Sequence, residues 1–131
     1  MGRVLIVDDD ADTRESLRMV IEAWGLEVAE ARGGATALAL VAAFQPDVVI
    51  LDLGLSDGMN GVEVAERIRK MDGYRAFVIA LTGWTRPHDR EAALRAGCSL
   101  YLTKPADLDQ LERTLDRAMA HAARSGGRRP S

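Results

Sequence analysis

The sequence is poor in the residues that build disulfide frameworks, thiolate metal sites and membrane spans. Its 131 residues include one cysteine, Cys98, which excludes an internal disulfide and a cysteine-based zinc site and is expected to be a small buried hydrophobe. The longest apolar run, residues 37–44, is too short to cross a bilayer. The N-terminus shows no pattern of a secretory signal. We therefore expect a cytoplasmic domain, not bound to a membrane, that is large enough for its own core.

Lysine is scarce, and the charge is unevenly divided. Fifteen of the 17 basic residues are arginine, and only Lys70 and Lys104 are lysine. The net charge of −3 gives no general reason to expect nucleic-acid binding. Residues 1–65 carry a balance of −8, whereas residues 66–131 carry +5. The first half therefore holds the acidic residues from which a site could be built.

Short apolar runs alternate with amphipathic stretches along the chain. Residues 4–7, 48–51 and 77–81 are almost entirely apolar and β-branched, which is typical of strands buried on both faces of a parallel sheet. Residues 26–29 and 100–102 are shorter and more polar, which predicts edge strands.

Helical spacing predicts five helices between and after these strands. The apolar stripes of the first, second, third and fifth helices are Leu17, Val20, Ile21 and Trp24; Leu38, Val41 and Ala42; Val64, Ile68 and Met71; and Leu108, Leu111, Leu115 and Met119. The fourth helix is short and is predicted over residues 89–96. Gly25, Gly73 and Gly97 are candidate helix stops, and Asp10 or Asp12 could cap the first helix. The order βαβαβαβαβα predicts an α/β domain with a doubly wound parallel sheet.

One domain is expected, over residues 1–123. Residues 124–131 show no apolar period, which predicts a flexible tail or a truncated linker. Met1 lies just ahead of the first strand, which favours a natural start of the chain.

Acidic residues follow two of the predicted strands, at the sheet edge where open α/β folds bind ligands. Asp8 and Asp9 come directly after the first strand, and Asp52 ends the third. If these strands are neighbours, three carboxylates meet in one cleft and repel one another. A divalent cation would remove the repulsion, and oxygen-only ligands suit Mg²⁺ or Mn²⁺.

A hydroxyl and an ammonium group complete the set at the same edge. Thr82 ends the fourth strand, and Lys104 follows the fifth. Together they could hold an oxyanion, such as a phosphoryl group, beside the metal. One of only two lysines therefore lies where a compact charge is wanted, which gives this interpretation small independent support.

Four segments resemble the receiver domain of two-component response regulators, in the family's order and spacing, from about residue 3 to about residue 122. They are VLIVDD at 4–9, VILDL at 49–53, ALTG at 80–83 and YLTKP at 101–105. The resemblance, which is to receiver domains of the chemotaxis-regulator type, implies a flavodoxin-like fold with a five-stranded parallel sheet of order 2-1-3-4-5. It also implies a phosphorylation-controlled regulator that is not an enzyme, either standing alone or excised from a hybrid kinase or a longer regulator.

The resemblance also assigns roles within the site. Asp52 would accept a phosphoryl group from a histidine kinase or a phosphotransfer protein, as a carboxylate nucleophile. Asp9, Asp52 and the backbone carbonyl of Gly54 would ligate Mg²⁺, which Mn²⁺ could replace, while Asp8 would act mainly through metal-bound water. Lys104 would pair with the phosphoryl group.

A switch is implied beside the phosphoryl group. Thr82 would shift toward it, Tyr101 would turn inward into the space left by Thr82, and the peptide bond before Pro105 would be cis. A downstream partner or output domain would bind the face formed by the fourth helix, fifth strand and fifth helix. The resemblance leaves open whether phosphorylation also produces a homodimer. Arginines 86, 90, 95, 113 and 117 fall on or near this face, which predicts an acidic partner surface.

Simpler interpretations remain for single residues and for the function. Asp8 and Asp9 alone would more often cap a helix, and Lys104 alone would more often be a surface lysine.

The alternative function is a pseudo-receiver, a protein-interaction module without phosphorylation. Such a module should lack one of the site residues, and none is lacking here. A flavin or P-loop enzyme needs a phosphate-binding loop after the first strand, where three aspartates would repel phosphate. A phosphatase with an Asp-x-Asp motif at Asp8–Asp10 would leave Asp52 without a role.

Three positions depart from the family pattern. Ser56 stands where the family usually has proline, and Gly54 supplies a carbonyl but no side chain over the site. Trp84 is bulkier than the residue that many relatives carry two positions after the threonine.

We expect Trp84 to shield an aspartyl phosphate from attacking water. A Trp84→Ala variant, once phosphorylated, should therefore lose its phosphoryl group faster than the wild type, as followed by intact mass over time. Equal decay in the two proteins would contradict this role.

Overall fold

The computed structural model of the chain describes residues 2–55, 58–71, 76–83 and 87–125, with side chains through residue 120. Within these residues five strands alternate with five helices, as the apolar runs predict. The elements are β1 (Arg3–Val7), α1 (Ala11–Ala23), β2 (Glu27–Ala31), α2 (Gly34–Phe44), β3 (Val48–Leu51), α3 (Gly61–Lys70), β4 (Phe77–Thr82), α4 (Pro87–Arg95), β5 (Leu100–Thr103) and α5 (Leu108–Ser125).

The strands form one parallel sheet in the order β2-β1-β3-β4-β5. This confirms the doubly wound flavodoxin-like topology, and it confirms β2 and β5 as the edge strands. The order changes direction beside β1, so β1 and β3 are neighbours although a strand and two helices separate them in sequence. Open α/β sheets bind ligands at such a switch point.

Each face of the sheet packs into its own apolar cluster, because successive side chains of a strand point to opposite faces. One cluster joins Leu5, Val7, Val49 and Leu51 to buried residues of α2, α3 and α4. The other joins Val4, Ile6, Val48 and Ile50 to buried residues of α1 and α5. The central strands are therefore covered on both sides, which explains their uninterrupted apolar sequence.

The predicted capping signals mark the ends of α1 and α4 but not the end of α3. The Asp10 side chain accepts the Asp12 backbone N–H and caps α1. Gly25 and Gly97 follow shortly after the last residues of α1 and α4, and both have a positive φ, of 89° and 107°, as is usual for a glycine that stops a helix. The helix α3 ends at Lys70, before the predicted stop at Gly73, because Met71 has an extended backbone with ψ of 132°.

Two residues of the predicted apolar stripes face solvent. Ala42 of α2 is exposed, and Ala37 and Val41 form the buried face instead. The helix contains no charged residue, so its sequence gives no polar face against which to orient the stripe. Leu108, the first residue of α5, is also exposed, because the buried stripe begins one turn later at Leu111.

The predicted tail begins inside a helix. Arg124 and Ser125 belong to α5, and residues 126–131 lie outside the described part of the chain. Ser56, Gly73, Trp84 and Arg86 also lie outside it. Among the described residues, no helix is long and apolar enough to cross a membrane.

Strand register aligns the carboxyl ends of β1, β3 and β4. Val7 pairs with Leu51, and the Asp52 N–H donates to the Val7 carbonyl at 2.9 Å. At the other side of the sheet, the Lys104 N–H donates to the Thr82 carbonyl at 2.8 Å. The backbone itself therefore brings the residues that follow β1, β3, β4 and β5 to one edge.

Gly61 allows α3 to begin directly against Asp52 and Leu53, the two residues that follow β3. A Cβ atom at Gly61 would lie 2.5 Å from the Asp52 carbonyl oxygen and 2.5 Å from the Leu53 Cα, both of which are backbone atoms that cannot rotate away. The start of α3 thus depends on a missing side chain.

We predict that Gly61→Ala lowers the free energy of unfolding by about 1–3 kcal/mol, the usual cost of overpacking a core. Gly83→Ala is the matched control, because a Cβ there meets no atom of the described residues within 4 Å. Urea unfolding of both variants measures the difference. Equal stability of the two would show that α3 does not need this close approach.

Candidate functional site

Three carboxylates meet beyond the ends of β1 and β3, as their positions in the sequence predict. One oxygen from each of Asp8, Asp9 and Asp52 lies within 4.8 Å of the other two. Asp8 is 3% exposed and Asp52 is 7% exposed, whereas Asp9 faces solvent. The cluster is therefore a half-enclosed acidic pocket with Asp9 at its open side.

The ammonium of Lys104 reaches into this pocket. Its Nζ donates to Asp8 Oδ2 at 2.8 Å and to Asp52 Oδ2 at 3.2 Å. Burial by itself lowers the pKa of the Lys104 ammonium, but the Asp8 hydrogen bond and the nearby Asp52 charge outweigh it and hold the pKa above its ordinary value. Lys104 therefore carries its positive charge throughout the neutral range.

Backbone N–H groups orient the other oxygens of the two buried carboxylates. Asp8 Oδ1 accepts the Asp10 N–H at 2.8 Å, and Asp52 Oδ1 accepts the Gly54 N–H at 2.8 Å. Each buried aspartate thus has one oxygen fixed by its own loop and the other facing Lys104. Both side chains are held in one orientation by contacts on either side.

The donor set fits a divalent cation of the hard type. Three carboxylates and one ammonium leave two negative charges in excess. All the side-chain donors are oxygens, the ligand type that Mg²⁺ prefers, and one oxygen of each carboxylate lies within 4.8 Å of the others. Asp8, Asp9 and Asp52 are therefore the residues that would hold Mg²⁺.

The remaining predicted site residues lie at the same edge of the sheet. Thr82 is fully buried at the end of β4, beside the backbone of Lys104. The peptide bond between Lys104 and Pro105 is cis, as the resemblance implies. Gly54 lies on the Asp52 loop with its N–H on the carboxylate, and metal ligation by its carbonyl stays a prediction.

Tyr101 lies on the outer edge of the sheet rather than in the acidic pocket. It is half-buried and lines an open depression of about 430 Å³ between α4, β5 and α5, together with Pro87, Arg90, Leu102, Thr103 and Gln110. Burial, followed by the nearby charge of Asp89, raises the pKa of the Tyr101 hydroxyl, so it stays protonated. Asp89 itself is a buried acid on α4 that the sequence pattern did not reveal.

The sequence pattern also did not reveal Arg14, whose side chain contacts the backbone of Asp8 from outside the acidic pocket. Its Nη1 donates to the Asp8 carbonyl at 2.7 Å, and its Nε donates to Glu30 Oε1 at 3.0 Å. A contact to a backbone carbonyl leaves no trace in the pattern of side chains. From its spacing within α1, Arg14 could be predicted only to be a polar residue on the helix surface.

Curated relatives share this sequence over most of its length. The chain is 41% identical over 105 residues to a 14.6 kDa protein of Leptolyngbya boryana, with 79% of each chain covered. It is 41% identical over 110 residues to the transcriptional regulatory protein KdpE of Mycobacterium tuberculosis, covering 84% of this chain and 47% of KdpE. It is 34% identical to the transcriptional regulatory protein ZraR of Salmonella typhimurium, covering 98% of this chain and 29% of ZraR. The chain thus spans less than half the length of these two regulators.

Solved structures share the fold. The chemotaxis protein CheY4 of Vibrio cholerae superposes with a TM-score of 0.83 at 30% identity, covering 90% of this chain and 98% of CheY4. A putative response regulator from Chloroflexus aurantiacus gives 0.82 at 30% identity, covering 91% and 98%. The sequence pattern of the response regulator receiver domain matches residues 4–116, which include the acidic pocket and Lys104. The sequence match, the fold and the pocket all agree. The chain belongs to the response regulator receiver domain family.

Proposed function

We propose that this protein is a phosphorylation-controlled regulator whose phosphoacceptor is Asp52. The observation that carries the proposal is the environment of that carboxylate: it is buried at the end of β3, beside two further carboxylates, and its Oδ2 faces the Lys104 ammonium at 3.2 Å. A carboxylate held next to a cation and a metal-binding set suits the capture of a phosphoryl group.

The transfer would proceed by attack of an Asp52 oxygen on phosphorus. The donor is a phosphohistidine of a histidine kinase or of a phosphotransfer protein. The new O–P bond forms as the P–N bond breaks, and the imidazole leaves with the electron pair of that bond. Asp52 thereby becomes an acyl phosphate, while the phosphodonor recovers its free histidine.

Each remaining residue of the pocket has one task. Lys104 places a compact positive charge where the phosphoryl oxygens arrive, and the Thr82 hydroxyl donates to one of them after transfer. Asp8, Asp9, Asp52 and the Gly54 carbonyl would hold Mg²⁺, or Mn²⁺ in its place. The ion, when bound, neutralises the negative charge on the transferring oxygens.

The output would be read at the depression beside Tyr101. Phosphorylation would bias a two-state equilibrium, and a partner can detect that bias only where the surfaces of the two states differ. Tyr101 lines both this depression and the apolar cluster that includes residues of α4, so a change in its position would alter the depression. Exposed arginines on α4 and α5 favour an acidic partner or output surface, namely Arg90, Arg95, Arg113 and Arg117. The same face could join two phosphorylated copies.

The proposal places the protein in the cytoplasm, where it acts as a regulator. Its only chemistry would be its own phosphorylation and dephosphorylation. The alternative, a pseudo-receiver that binds partners without phosphorylation, makes the opposite prediction for the experiment below.

Incubation with acetyl phosphate and Mg²⁺ should add a single phosphoryl group to the wild type, detected by intact mass. Asp52→Asn should show no adduct, because the amide is not a nucleophile, and EDTA should prevent the reaction. Asp116→Asn, which alters an exposed aspartate of α5, is the matched control and should react like the wild type.

Two outcomes would overturn the proposal. An adduct of equal yield in Asp52→Asn would move the phosphoacceptor to another residue. No adduct in the wild type, from acetyl phosphate or from a phosphohistidine donor, would instead establish the pseudo-receiver.

A further inference from the structure

Asp8 is held at four separate points, and one of them is a side chain from outside the acidic pocket. Its N–H donates to the Ala31 carbonyl of β2 at 3.1 Å. Its Oδ1 accepts the Asp10 N–H and its Oδ2 accepts Lys104. Its backbone carbonyl accepts Arg14 Nη1 at 2.7 Å, the shortest of the four contacts.

The carbonyl held by Arg14 belongs to the peptide unit between Asp8 and Asp9. That unit is planar, so holding its oxygen fixes the dihedral angles on both of its sides. A net change of either angle would turn the Asp9 carboxylate relative to those of Asp8 and Asp52. Because the three carboxylates repel one another, changes that move Asp9 away from the other two are favoured unless the peptide is held.

Arg14 is itself held by an ion pair on the edge strand β2. Its Nε donates to Glu30 Oε1 at 3.0 Å, and the Arg14 side chain is only 16% exposed. Glu30 also accepts Arg18 Nη1 at 2.8 Å. The hydrogen bond from Arg18 holds the pKa of Glu30 below its ordinary value against the opposing effect of burial, and Arg14 adds to it.

A guanidinium can serve both acceptors at once because its donors form a rigid planar fork. Here Nε points to Glu30 and Nη1 points to the Asp8 carbonyl. An ammonium at this position keeps the charge but cannot fix two acceptors in one plane. Arg18 shares Glu30 but has no contact with the pocket among the hydrogen bonds of the described residues.

We infer that Arg14 is a positioning residue for the metal site, which fixes the Asp8–Asp9 peptide against β2 through Glu30 and so keeps both carboxylates aimed at Asp52. The inference rests on the proposed function, in which this cluster binds Mg²⁺. It concerns the geometry of the site in the absence of the ion and assigns Arg14 no contact with the ion or with the phosphoryl group.

The test compares Arg14→Lys with Arg18→Lys by isothermal titration with Mg²⁺. Both variants keep the net charge and both disturb a contact to Glu30. Arg14→Lys also disturbs the contact to the Asp8 carbonyl, whereas Arg18→Lys also disturbs an exposed contact to Glu22, away from the pocket. We expect Arg14→Lys to bind Mg²⁺ about tenfold more weakly than the wild type and Arg18→Lys to stay within about twofold of it, since residues that orient ligands have effects of this order.

A second readout reports the geometry directly. The Asp10 amide donates to Asp8 Oδ1, so its hydrogen exchange should be faster in Arg14→Lys than in the wild type or Arg18→Lys. Urea unfolding of both variants separates this local effect from general loss of stability. If Arg14→Lys does not fold, the pair Arg14→Gln and Arg18→Gln makes the same comparison at matched charge.

Equal Mg²⁺ affinity and equal Asp10 exchange in the two variants would overturn the inference and leave the proposed function intact. A wild type that binds no Mg²⁺ would overturn the proposed function, and the inference with it. The two failures are therefore distinguished by the wild-type titration alone.

Discussion

The contact of one ammonium group with two buried carboxylates is the interaction on which the candidate site depends. Lys104 joins Asp8 and Asp52, residues that lie 96 and 52 positions away from it in the sequence. It allows the carboxylates to be buried side by side, which isolated charges could not be. Lys104 balances only one of the three negative charges, so the pocket still attracts a divalent cation. The proposed phosphoryl transfer uses both Lys104 and that cation.

The strand order and the backbone register position the three residues of this contact. The strand order places β1 beside β3, so Asp8 and Asp9 meet Asp52, and the edge strand β5 delivers Lys104 from the other side. The backbone register fixes how far each chain segment projects into the pocket. Gly61 lets α3 start against the Asp52 backbone, and we infer that Arg14 holds the opposite wall. Receiver-domain membership and the physical construction of the pocket therefore agree.

The sequence predicted those parts of the structure that depend on side-chain type and order. Runs such as Val48–Leu51 identified buried strands because both faces of a central strand must be apolar, and polar residues at the ends of those strands identified the pocket. It could not predict the contact of Arg14 with a carbonyl oxygen, which depends on how α1 packs beside β2. Nor could it orient α2, where Ala42 is exposed, because that helix has no charged residue to mark its solvent side.

The most direct test of this account is the Mg²⁺ affinity of Lys104→Met relative to the wild type, measured by calorimetry. If the pocket is an acidic site that one ammonium neutralises only in part, removing that ammonium should tighten Mg²⁺ binding severalfold, because the competing positive charge is gone. Lys70→Met, which removes the other lysine from an exposed position on α3, should leave the affinity unchanged. Binding that is weaker or unaltered in Lys104→Met would contradict the account.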